Sequence, residues 1–148
     1  MFLALSTTRD PAQQRTALAL VLDPKLDIRD TQGILTAAIF EPNRAVAQRF
    51  FQDHKDAILA RVPSDGTASG QAWLAAVFTS SCSAERRDEL AAYVTATFSR
   101  LQGGARVVDQ AIEAMDQCIA RRALVEPAIR GWLGGTGATG AAAARAGR

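Results

Sequence analysis

The chain has 148 residues, enough for one domain with a real core and too few for most multidomain enzymes. Its 48% apolar and 22% charged residues, with a formal charge of +2 and no dense Lys/Arg run, exclude disorder over most of the length. They also offer neither a nucleic-acid footprint nor a polybasic membrane patch. No run reaches the roughly 18 apolar residues of a membrane span, and Met1-Phe2-Leu3-Ala4-Leu5 lacks the basic flank and cleavage site of a signal peptide.

Between proline, acidic and hydroxyl punctuation, apolar residues recur every three or four positions, so helices are expected throughout. Asp10-Pro11 is an N-cap followed by the residue best suited to the first helical position, and Leu18, Leu20, Val21 and Leu22 lead up to an Asp23-Pro24 stop. A second helix is expected from Asp30-Thr31, carrying Ile34, Leu35, Ala38 and Ile39. It should end at Glu41-Pro42, because a residue before proline is pushed out of the helical region. Asn43 then caps a third helix, whose row Ala47, Phe50, Phe51, His54, Ile58 and Val62 is the clearest amphipathic pattern in the chain.

Pro63-Ser64-Asp65-Gly66 is turn chemistry and leads into a short helix around Trp73, Leu74, Val77 and Phe78. Ser83, with Glu85 and Asp88 in the first turn, starts the next, whose core face is Leu90, Val94, Phe98 and Leu101. Gly103-Gly104 ends it. Val108, Ala111, Ile112, Met115, Ile119 and Arg122 trace the last long row, which Pro127 should break or kink before Ile129, Trp132 and Leu133. Residues 134–148 hold only Gly, Ala, Thr and Arg, too little apolar area to offset the entropy of ordering, so a disordered tail is expected after a folded domain over 1–133. With no strand pattern between the helices, the class is all-α. A closed bundle and a layered helical-repeat stack both fit, and no fixed period of the kind repeat arrays show can be counted.

The chemical inventory is narrow. His54, Cys82 and Cys118 are the only soft metal ligands, and no two fall in a ligand spacing. His54 is followed by Lys55-Asp56-Ala57-Ile58 rather than a His-Glu-x-x-His frame, and no Gly-x-Ser-x-Gly elbow or phosphate loop occurs. A small hydrolase using His54 would need a Ser or Cys and an acidic partner to converge on that imidazole.

Several phrases, in this order, resemble a known family: Ser6-Thr7-Thr8-Arg9-Asp10-Pro11, Leu18-Ala19-Leu20-Val21-Leu22-Asp23, Glu41-Pro42-Asn43-Arg44, and Phe50-Phe51-Gln52-Asp53-His54-Lys55-Asp56-Ala57-Ile58. Glu89-Leu90-Ala91-Ala92-Tyr93-Val94, Val108-Asp109-Gln110-Ala111-Ile112-Glu113-Ala114 and Ile129-Arg130-Gly131-Trp132-Leu133 follow. The set is similar to the C-terminal helical domain of gluzincin aminopeptidases, of the aminopeptidase N, puromycin-sensitive and endoplasmic-reticulum types, over about residues 3–133. The resemblance implies an irregular superhelix of antiparallel helix pairs, an α-solenoid like HEAT or armadillo stacks. Such a domain covers the catalytic domain and shapes peptide access.

The same resemblance implies zinc in a catalytic domain that this chain lacks, so no metal ligand, cofactor site or catalytic residue carries over. The chain should not be an enzyme on its own and reads as a fragment of a metallo-aminopeptidase. Its implied partners are the catalytic domain and, indirectly, peptide substrate. The alternative from another class is a stand-alone helical-repeat module that binds a protein or peptide.

Individual residues are read within that frame. His54, on its apolar row, reads as a core or boundary histidine ahead of a ligand, and Trp73, Trp132, Phe50, Phe51, Phe78 and Phe98 read as core. Arg121-Arg122 could meet a peptide carboxylate across an inter-domain cavity, although a solvated or internally paired surface is the favoured reading. Cys82 and Cys118 are either a disulfide or two buried thiols, and cysteines at similar places in exported bacterial relatives tip the choice toward the bond. A bonded pair would imply a periplasmic or secreted parent, free thiols a cytoplasmic one.

Overall fold

The computed structural model describes residues 2–36, 41–64 and 70–146, with side chains described over 4–36, 43–64 and 70–134. The chain is all-α: among the described residues there are helices and turns and no strand. A 3₁₀ helix, Phe2–Thr7, precedes α1 (Pro11–Ala19), which runs on through a 3₁₀ turn at Leu20–Leu22. Then come α2 (Ile28–Thr31), α3 (Gly33–Thr36), α4 (Glu41–Arg61), a 3₁₀ stretch Gln71–Ala75 leading into α5 (Ala76–Thr79), α6 (Arg87–Phe98) and α7 (Gly104–Ala146).

The first cap is where the sequence puts it. Asp10 is extended and its carboxylate accepts from the Ala12 N–H at 2.8 Å, with Pro11 at the first helical position. Gln14, Ala17, Leu18 and Val21 then form the buried face. The second start lies earlier than expected. Asp27 caps α2 by accepting from the Arg29 N–H at 2.9 Å, so Asp30 falls inside the first turn, and α2 and α3 are parted at Gln32. The expected Ala38 and Ile39 contacts lie outside the described residues, as do Asp65 and Gly66 of the expected turn.

Glu41-Pro42 does not end a helix; both residues belong to the first turn of α4, where a proline costs no intrahelical hydrogen bond. Asn43, expected as a cap, is instead fully buried and donates its amide to the Thr8 carbonyl, tying α4 to the start of the chain. Farther along α4, Ala47, Gln48, Phe51, Ile58 and Val62 are buried, an arc rotated toward Gln48 and Lys55 relative to the expected row. His54 lies at the edge of that arc, with φ −119° and ψ 17° kinking the helix, and it is exposed rather than core. Arg61 closes the end of α4 by donating to the carbonyls of Val21, Asp23 and Leu26.

The core is aromatic at its centre. Phe51 meets Phe78 edge-on at 5.8 Å and stacks on Phe98 at 5.7 Å, and all three are fully buried among Leu18, Ile34, Leu74, Leu90 and Met115. Trp73 is half-buried. Ser83 does not start α6: its hydroxyl is spent on the Glu85 carboxylate at 2.7 Å, and the helix begins four residues later at Arg87. Gly103 turns the chain with φ 74°, and Gly104 follows so closely that a Cβ there would lie 1.9 Å from the Phe98 carbonyl oxygen. That approach lets α7 fold back along α6.

One expectation for α7 is corrected. Pro127 stands inside a continuous helix instead of breaking it; both Pro127 and Ala123, whose carbonyl loses its donor, are exposed, so water can take the bond. The helix is continuous from Gly104 to Ala146. Residues 147 and 148 lie outside the described residues.

Candidate docking surface

Along its first half, α7 lies on the body. Val108, Ala111 and Met115 are buried, and Val107, Ile112 and Ile119 are partly so. Two links hold its last packed turn. Arg87, at the start of α6, donates from Nε at 2.7 Å and from Nη2 at 2.8 Å to the two carboxylate oxygens of Asp116, a two-pronged pair. Its guanidinium holds the Asp116 carboxyl below the usual carboxylate range, while Asp116, followed by Asp88, raises the Arg87 pKa. One half-turn on, Cys118 forms a disulfide with Cys82 of the α5–α6 connection, their Cα atoms 5.2 Å apart.

Beyond Ile119 the helix leaves the body. From 120 to 134 every side chain is exposed except Glu126, which is half-buried. Val125 (42%), Ile129 (51%), Trp132 (68%) and Leu133 (57%) stand open to solvent, contrary to the core role expected for Trp132. They are spaced i, i+4, i+7 and i+8, and a 3.6-residue period places them on the side of the helix that carries Val108, Ala111 and Met115. Leu124, 78% exposed, lies on the opposite side.

Charge borders the row. Glu126 accepts from Arg122 Nε at 2.9 Å and from Arg130, four residues to either side, and those bonds hold its carboxyl below the ordinary range. Arg121 and Arg122 are both exposed at the root of this outer half. Arg122 borders two shallow depressions, one of about 280 Å³ with Ala123, Glu126, Pro127 and Arg130 and one of about 300 Å³ with Val125, Glu126, Ile129 and Arg130, and Arg121 lines neither.

The remaining candidates do not assemble a reaction centre. The His54 ring lies 4.6 Å from that of Phe50, and no Ser, Cys or carboxylate hydrogen-bonds to it among the described residues. Among those residues, no three His, Cys, Asp or Glu side chains converge as a metal requires. Both cysteine sulfurs are committed to the disulfide, so the donors present do not fit a zinc ion. A depression of about 600 Å³ lies between the N-terminal 3₁₀ helix and α1, walled by Leu5, Thr8, Gln13 and Leu20 among others. No described helix is long and apolar enough to cross a membrane.

The exposed row was partly legible: Ile129, Trp132 and Leu133 stood out as apolar, but periodicity cannot tell a buried face from an exposed one. The Arg87–Asp116 pair gave no sequence signal, since 29 residues separate its members. No protein-family model, curated protein or solved structure matches the chain.

Proposed function

We infer that this chain is the C-terminal helical domain of a zinc-dependent aminopeptidase, a cover that docks against the catalytic domain and shapes the path of peptide to it. In this reading it contributes no catalytic group, and the zinc belongs to the domain it covers. Its helices form one end of an irregular superhelix of antiparallel pairs. The carrying observation is that the core-facing row of α7 continues past the body as exposed Val125, Ile129, Trp132 and Leu133. A helix that keeps a core pattern while standing in solvent is suited to lie in the groove of a second body. Arg121 and Arg122, at the root of that outer half, are placed to meet a peptide carboxylate between the two bodies. The Cys82–Cys118 bond favours a periplasmic or secreted parent.

Reading the gene upstream of Met1 tests this directly. A frame encoding His-Glu-x-x-His is expected, and its product should form a stoichiometric complex with the chain that Ile129→Asp or Trp132→Asp abolishes without changing the helical circular dichroism. An independent start signal with no such frame would overturn the reading in favour of a stand-alone helical-repeat module that binds protein or peptide.

A further inference from the structure

Two links between α7 and the α5–α6 region sit in its last packed turn. Asp116 is gripped by Arg87 and Cys118 is bonded to Cys82. Val108, Ala111 and Met115 secure the helix upstream of these links, and from residue 120 onward the side chains are exposed save for half-buried Glu126. Cys82 and Cys118 are themselves half-buried, so a small dithiol can reach the bond. We propose that the Cys82–Cys118 disulfide and the Arg87–Asp116 pair form an exit clamp that aims the outer half of α7, and that reducing the disulfide frees that aim. This holds whatever the apolar row docks onto.

The geometry supports a clamp rather than a general staple. Both partners on the body side, Cys82 and Arg87, lie within five residues of one another at the α5–α6 connection, and both partners on α7 lie within one turn. Two fastenings spaced along a helix resist its tilting and twisting where one would leave a pivot. The three phenylalanines of the core are contributed by α4, α5 and α6, so the body does not depend on the bond for its centre. In the redox step a dithiol reductant closes to its cyclic disulfide while the Cys82–Cys118 bond breaks and each sulfur takes one proton and one electron as a thiol. The ion pair then remains as the one polar fastening of that turn, downstream of the packed Val108, Ala111 and Met115.

Spin labels carried on keto amino acids at Ala60 and Ala128, both exposed, report the aim by their distance distribution and leave the cysteines untouched. The oxidised full-length chain should give one narrow peak. With dithiothreitol, and equally in Cys82→Ser/Cys118→Ser, that peak should be lost to a broad distribution while far-UV circular dichroism and the near-UV tryptophan signal persist. Asp116→Asn alone should keep the narrow peak and, added to reduction, should broaden the distribution further. A narrow peak that survives in the reduced, folded chain overturns the clamp. So does collapse of the circular dichroism on reduction, which would make the bond a staple for the whole fold.

Discussion

Arg87 and Asp116 meet through two parallel N–H···O bonds of 2.7 and 2.8 Å, joining the first turn of α6 to the middle of α7 where that helix leaves the body. The Asp116 carboxyl is held low, first by its hydrogen bond to Arg87, against the opposing effect of desolvation, with the guanidinium charge adding a smaller lowering. A carboxyl depressed in the folded state stabilises fully above its unfolded pKa and loses that contribution as pH falls through the folded value. The urea midpoint of Asp116→Asn should therefore lie below that of the parent at neutral pH. The gap should narrow below about pH 4, the pKa of the unfolded carboxyl, as pH falls toward the lower folded value. A gap that widens in acid would contradict the assignment.

The disulfide closes a loop of 36 residues in sequence separation. In the chain-entropy estimate, Cys82→Ser/Cys118→Ser should lose roughly 3 to 4 kcal/mol of unfolding free energy. Denaturant titrations of the oxidised parent and the double variant measure this, and dithiothreitol should bring the parent to the variant's midpoint.

Gly104 cannot accept a side chain where it stands, because its Cβ would lie 1.9 Å from the Phe98 carbonyl oxygen. Gly104→Ala must push α7 away from α6 and should cost about 1 to 3 kcal/mol, as overpacking does. Gly103→Ala places a Cβ at φ 74° and should cost roughly 1 to 2 kcal/mol. Equal stability of Gly104→Ala and the parent in urea would contradict the close approach.

Core and docking row should separate cleanly under alanine substitution. Phe98→Ala, which removes a fully buried ring stacked on Phe51, should cost about 3 to 5 kcal/mol. Ile129→Ala and Trp132→Ala remove more than half-exposed side chains and should change stability by no more than about 0.5 kcal/mol. Thermal unfolding of the three variants makes the comparison, and a large loss in Trp132→Ala would place that ring in the core.

What could be read from the residues alone follows a physical division. Local chemistry was readable where one residue decides the outcome, as with Asp10 capping α1 before Pro11, and so were Phe51, Phe78 and Phe98 as core. Errors arose where two local signals competed: Asp27 took the cap assigned near Asp30, and Glu41-Pro42 began a helix that the pre-proline rule would have ended. Trp132 failed for another reason: it lies on an apolar row but beyond the body's edge, and periodicity names a face without naming what covers it.

The central claim is that the chain covers a catalytic domain without performing its chemistry. Purified 148-residue chain, supplied with zinc and a set of short peptides, should release no N-terminal amino acid above the rate of a heat-denatured control. Zinc-dependent release by the folded chain, abolished by chelation and restored by the metal, would contradict it.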